Sequence, residues 1–200
     1  MNNILVLVIA YLIGSIPSGL WIGQIFYKTD IRKHGSGNLG ATNTFRVLGK
    51  KAGIVVTLMD ILKGTVATLI PTLAVFSDSG IHPLIAGIVA VIGHMFPIFA
   101  GFRGGKAVAT SAGMLLGYHW PIFVILLIAF LLCLKIFKMV SLASMFAAVV
   151  AFIYALIYAI LDKEYLLLII ITIIVVFIFY RHRTNISRIK NGTEPKVTWL

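Results

Sequence analysis

Charge is what this sequence has least of. Only 12% of its 200 residues are Asp, Glu, Lys or Arg, where soluble proteins carry about 25%. Just six are acidic and they form no cluster, so no metal centre is expected. The one cysteine, Cys133, excludes a disulfide framework; within an apolar run it reads as a small buried hydrophobe. No hydrophilic stretch is long enough to fold separately, which leaves a single integral membrane domain over 1–200. The opening "MNNILVLVIAYLIGS" lacks the basic start and small-residue cleavage site of a signal peptide and reads as a retained first helix. Aromatic–basic interleaving is also missing, so the net charge of +11 does not point to nucleic acid.

Apolar residues are what is abundant, at 60% of the chain. A spanning helix needs about 20 of them in a row. Such runs occur at 3–25, 54–76, 84–101, 140–161 and 164–180. The stretch 107–137 is interrupted by "GYHWP", and Pro121 favours a helix start, so it divides into 107–118 and 120–135. The expected fold is all-α: a polytopic bundle of seven transmembrane helices, N-terminus outside and C-terminus cytoplasmic. Charge supports that parity. Segments 26–52, 102–107, 135–139 and 181–200 then face inward, and they hold fifteen of the seventeen Lys and Arg residues. That is a strong positive-inside bias, and the basic loops would also attract anionic lipid headgroups.

Polar residues gather in three of the inward segments, 33–53, 93–113 and 181–196. The first, "KHGSGNLGATNTFRVLGKKAG", contains a full G-x-G-x-x-G. A dinucleotide fingerprint needs a preceding strand inside a βαβ unit, and here helices flank it, so that reading fails. What remains is a glycine turn whose N–H groups can converge on an anion. Ser36, Asn38, Thr42 and Asn43 add neutral donors and Arg46 a planar cation suited to phosphate. The second, "GHMFPIFAGFRGGKAVATSAG", imitates a Walker A loop, but Ala100 and Ala107 replace required residues. It still places Gly104, Gly105 and Lys106 before a helix N-terminus, a plausible phosphate seat. His94 there reads equally as a hydrogen-bonded core histidine or a site residue. In the third, "RHRTNISRIKNGTEPK", His182, Asn185 and Arg188 recur on roughly one face if the last helix continues inward.

Within the membrane, Asp60 and Lys63 at i, i+3 read as a neutralising pair, either bracing the loops above or serving function. Ser141 and Ser144 fit helix packing and also lie near the inner interface. No G-x-S-x-G elbow or Cys–His pairing occurs. The H-x4-D arrangement of common glycerolipid acyltransferases is absent too, since the residues five beyond the histidines are Leu39, Gly87, Phe99, Val124 and Ser187. The residues describe a seat for a phosphorylated substrate at the membrane, without an evident general base.

"GSGNLGATNTFRVLG", "GHMFPIFAGFRGGKAVATSAG" and "RHRTNISRIKNGTEPK" resemble the three cytoplasmic motifs of the PlsY family, bacterial acyl-phosphate:glycerol-3-phosphate acyltransferases. The resemblance covers nearly the whole chain; Ala107 departs from it, standing where many members have glycine. It implies transfer of a fatty acyl group from acyl phosphate to the 1-hydroxyl of glycerol 3-phosphate in the bacterial cytoplasmic membrane, giving lysophosphatidic acid and phosphate. No covalent acyl-enzyme, metal or cofactor is implied, the acyl-phosphate phosphoryl group taking the hydroxyl proton. Carried onto these positions, it implies one wall from Ser36, Gly37, Asn38, Gly40, Thr42, Asn43 and Arg46. Gly104, Gly105 and Lys106 make a phosphate turn, and His182, Asn185, Arg188 and Glu194 come from the tail, with Ser141 or Ser144 added. Arg46 and Lys106 would meet phosphate oxygens, while Asn185 and His182 orient glycerol 3-phosphate. Implied partners are the two substrates, membrane lipids and transient contact with an acyl-phosphate-producing enzyme. The competing reading, a small phosphate or anion transporter, predicts polar or broken helices near the midplane; the polar groups instead lie toward one surface.

Overall fold

The computed structural model describes residues 2–197. Its regular structure is helical: α1 (Asn2–Gly14), α2 (Ser18–Tyr27), α3 (Ala41–Leu48), α4 (Lys50–Leu69), α5 (Pro83–Met95), α6 (Val108–Tyr118), α7 (Trp120–Phe137), α8 (Val140–Asp162), α9 (Tyr165–Arg181) and α10 (Arg183–Lys190). Helices are what a membrane demands, since lipid offers no partner for an unpaired backbone group. The chain divides into two compact units, Met1–Tyr118 and His119–Leu200.

Four segments are long and apolar enough to cross a membrane: Lys50–Thr72, Pro83–Ala100, Trp120–Phe137 and Val140–Asp162. Two bent pairs, α1 with α2 and α9 with α10, raise the number to six if each is one span. At 11 residues α6 is shorter than these. Many of the large side chains exposed on the helices are apolar, among them Ile128, Leu132 and Ile136 of α7. Apolar surface on this scale is what lipid-facing helices present.

Three boundaries differ from the apolar pattern. The run 3–25 is two helices, bent by 46° between Gly14 and Ser18. Pro17 has no N–H and pushes Ile16 out of the helical region. The run 54–76 begins earlier, at Lys50, and its α-helix ends at Leu69; Pro71 lies in a 3-10 turn, Ile70–Thr72. The last helix does not continue inward as a single rod, because α9 and α10 meet at 57°.

Unit one packs α1 against α5 and α4 against α6, around a core of Val6, Ala10, Ala67, Ile70, Ala86 and Ala90. The α4–α6 crossing is close enough that a Cβ on Gly113 would meet the Ile61 carbonyl, the close approach that small residues permit between membrane helices. In unit two, α8 packs with both α7 and α9. Ala143, Ala147, Ala151, Ala155 and Ala159 recur every fourth residue along α8 and are buried, another small-residue stripe. The α7–α8 end carries a smaller cluster of Cys133, Leu134 and Ala143, and Cys133 is a buried thiol there.

Candidate active site

The glycine-rich segment of unit one is organised by Asn43. Its Oδ1 accepts from the Ser36 N–H at 2.8 Å, and its Nδ2 donates to the carbonyls of Ile31 and His34 at 3.0 and 3.1 Å. One buried amide thus ties three points of the 31–36 backbone to α3. Gly35 and Gly37 take φ of +60° and +69°, the left-handed region that side chains disfavour. Asn38 accepts from the Gly40 N–H at 2.9 Å, closing a turn just before α3. Upstream, Asp30 accepts from the Arg32 N–H and pairs with its guanidinium. That hydrogen bonding holds the Asp30 carboxyl well down, to about 2. Arg46, Thr42 and Ser36 are exposed, as a residue meeting a soluble substrate must be.

A second glycine segment belongs to the same unit. Gly104 N–H donates to the Met95 carbonyl and Gly105 N–H to the His94 carbonyl, both at 3.1 Å. The turn is therefore stapled back onto the end of α5, with Lys106 half-buried behind it. Ala107 follows at φ +64°, where a side chain costs roughly 1–2 kcal/mol that glycine avoids. A glycine at this position would relieve that cost. A small cluster of Leu20, Ile31, Leu39 and Ala100 joins the segment carrying the first motif to the one carrying the second.

Beneath these loops lies a buried polar network. Lys63 Nζ is 2.7 Å from Asp60 Oδ1, and Ser18 Oγ donates to the same oxygen at 2.9 Å. Lys63 also donates to the Ile16 carbonyl at 2.8 Å, a group that the Pro17 break exposes. His94 Nδ1 lies 3.7 Å from Asp60 Oδ1. Removing one member of such a pair strands a buried charge, at a cost of about 3–5 kcal/mol. The sequence marks Asp60 and Lys63 as a pair and His94 apart from them; the approach of His94 and Ser18 to the same carboxylate oxygen is visible only in the structure.

In unit two the tail folds back on itself. Gly192, at φ +68°, ends α10 and returns the chain so that Glu194 faces it. Glu194 Oε1 accepts from Ser141 Oγ and Asn185 Nδ2, both at 2.6 Å, and Oε2 accepts from Arg188 Nε at 2.8 Å. Burial would raise the Glu194 carboxyl, but the hydrogen bonds from Ser141, Arg188 and Asn185, with the Arg188 charge, together hold it below the ordinary range. Val197 N–H reaches the Lys138 carbonyl at 2.7 Å, pinning the tail beyond it. His182 is buried at the α9–α10 bend, its Nδ1 2.8 Å from the Ile178 carbonyl. A carbonyl only accepts, so Nδ1 carries a proton.

Ser141, Asn185, Arg188 and Glu194 are thus brought together. Ser144 is not part of that group: its hydroxyl bonds back to the Val140 carbonyl at 2.8 Å. Of the two serines, Ser141 is the one that bonds to Glu194.

A model of the glycerol-3-phosphate acyltransferase family matches residues 4–192. A glycerol-3-phosphate acyltransferase of Listeria welshimeri is 58% identical over 200 residues, covering 100% of this chain and 99% of that one. Two crystal structures of PlsY, an integral membrane glycerol 3-phosphate acyltransferase, share 35% identity and cover 98% of this chain. The glycerol 3-phosphate form superimposes with a TM-score of 0.87 over 96% of its chain, and the lysophosphatidic acid form with 0.84 over 95%.

Proposed function

The chain belongs to the glycerol-3-phosphate acyltransferase family, and on that premise we propose that its acyl donor is acyl phosphate and its acceptor the 1-hydroxyl of glycerol 3-phosphate. It is an integral membrane acyltransferase of the PlsY type that produces lysophosphatidic acid for phospholipid synthesis, with several helical spans and bacterial relatives. The observation that supports the donor assignment is that the motifs contain no G-x-S-x-G elbow, Cys–His pair or H-x4-D arrangement, beside two glycine-built turns suited to anions. A thioester donor profits from a protein base; acyl phosphate is already an activated mixed anhydride.

The acceptor hydroxyl oxygen attacks the acyl carbonyl carbon. The bond from that carbon to the phosphate oxygen breaks, and the hydroxyl proton leaves with the departing phosphate, so no acyl-enzyme forms. The protein then contributes positioning and fixed positive charge, which can supply most of a barrier reduction. Arg46 and Lys106 are assigned to phosphate oxygens, and the N–H groups around Ser36–Gly40 and Gly104–Gly105 to the same anions. Asn185 and His182 are assigned to orienting glycerol 3-phosphate, with Arg188 and Ser141 held beside them by Glu194. Alanine at Arg46 or Lys106 should lower kcat/KM by at least 10-fold; unchanged turnover and affinity would strike that residue from the list.

Purified protein supplied with glycerol 3-phosphate and palmitoyl phosphate, palmitoyl-CoA or palmitoyl acyl-carrier protein tests the donor. Lysophosphatidic acid and phosphate should appear together with palmitoyl phosphate alone. Product from either thioester at a comparable rate refutes the donor assignment.

The seven-span arrangement with the N-terminus outside belongs to the same proposal, supported by the distribution of Lys and Arg. A cysteine placed at Asp78 in a Cys133→Ser background should react with an impermeant maleimide in whole cells, and one at Lys138 only after lysis. Labelling in the reverse order overturns the orientation.

A further inference from the structure

The Asp60–Lys63 pair neutralises itself, yet a third titratable group, His94, is buried against it. All three are less than a tenth exposed. If the pair only braced α4 against the break at Pro17, the bonds to Ser18 and to the Ile16 carbonyl would suffice. The position of the imidazole needs its own account.

One ring nitrogen, Nδ1, stands 3.7 Å from Asp60 Oδ1. The other, Nε2, lies against the place where a Cβ on Gly105 would stand, too close to admit one. The two carbons flanking Nε2 are 2.8 and 3.1 Å from that point, so the ring axis points at Gly105. The backbone agrees: the residue carrying this ring, and the one after it, accept the Gly105 and Gly104 N–H groups. The histidine is therefore a wedge between a buried carboxylate and the turn that presents Lys106.

We propose that Asp60 is a positioning residue for the reaction, acting through His94 to set the height of the Gly104–Lys106 turn. The proposal rests on reading that turn as a phosphate seat. Asp60 Oδ1 favours a proton on Nδ1 and so turns the Nε2 lone pair toward Gly105. The 3.7 Å separation is longer than a formed hydrogen bond, so the influence is electrostatic orientation. A carboxylate behind an imidazole is a recurrent way to fix its tautomer and angle. Lys63 and Ser18 hold the carboxylate in turn, which keeps it from rotating away.

The test separates positioning from bracing. The double variant Asp60→Asn/Lys63→Gln keeps polar, hydrogen-bonding side chains in place of the ion pair but removes the carboxylate. Its melting temperature in detergent should stay within a few degrees of wild type, while kcat falls about 100-fold, as a misplacement near 1 Å can cause. KM for glycerol 3-phosphate should move less than 3-fold. Nitrogen-15 spectra, with His94→Gln to assign the signal, should show the Nδ1–H tautomer in wild type and its loss in Asp60→Asn. Wild-type kcat in the double variant, or an unchanged tautomer in the single one, overturns the proposal. A loss of melting temperature matched by loss of kcat in both variants reduces Asp60 to a brace and overturns it equally. Wild-type enzyme is run beside each variant with palmitoyl phosphate. Its failure to make lysophosphatidic acid would discredit the donor assignment, whereas the tautomer reading stands or falls without turnover.

Discussion

Asn43→Ala is expected to lower kcat/KM for glycerol 3-phosphate by about 100-fold, the equivalent of roughly 2.7 kcal/mol. The side chain makes three hydrogen bonds, all to the backbone of the glycine loop. Leaving a buried partner unsatisfied costs about 1–3 kcal/mol each. Ser36 and His34 are exposed, so water recovers part of this, and the remainder is enough for a loss of two decades. The loss falls on activity because, among the described residues, no other side chain ties this stretch of the loop to α3 at three backbone points. Gly35 and Gly37 in left-handed conformations give up more chain entropy than other residues on being fixed. Asn43→Asp should be no better, since it keeps the acceptor for Ser36 but sets a carboxylate against two carbonyls. Steady-state kinetics with both substrates checks this, with circular dichroism to confirm retained helix. An Asn43→Ala enzyme within 3-fold of wild type would mean the loop is ordered by something other than this amide.

The second large effect is expected at Glu194. Glu194→Ala removes the acceptor for Ser141, Asn185 and Arg188 together and should cost kcat/KM on the order of 100-fold, each charge-assisted bond being worth about 1.5–3 kcal/mol. Glu194→Gln should recover only part, because an amide nitrogen cannot accept from the Arg188 Nε. Acid should act in the same direction. The carboxyl is held below its ordinary range in the folded protein. Its contribution to stability is therefore complete above the ordinary glutamate value of about 4.3 and is lost as pH falls through the lowered one. Melting temperature should drop more steeply below about pH 4 in wild type than in Glu194→Gln. Parallel acid limbs in the two proteins would show that Glu194 is not the titrating group.

Glu194 and Asn43 also show where sequence reading reached its limit. Both stand in motifs rich in polar residues; the resemblance puts Asn43 in a wall of the site, and Glu194 reads as either a site group or an architectural one. In the structure Asn43 bonds to the backbone of its own loop, and Glu194 to Ser141 of α8 and to Asn185 and Arg188 of the tail. Their chemistry was legible, but not its direction, because an amide or carboxylate serves a backbone and a phosphate equally well.

The helical membrane character, the basic loops and the two glycine-rich turns follow from the sequence by itself. Each is a local property: hydropathy over about 20 residues, charge beside a span, glycine where the chain must turn. The bend at His182, the clasp of Glu194 on Ser141 and the alignment of Asp60, His94 and Gly105 were decided only by tertiary structure. Buried polar partners of this kind can lie tens of residues apart, as Lys63 from Ile16 or Ser141 from Glu194. Which buried polar group meets which depends on how helices cross, and no local pattern encodes that crossing.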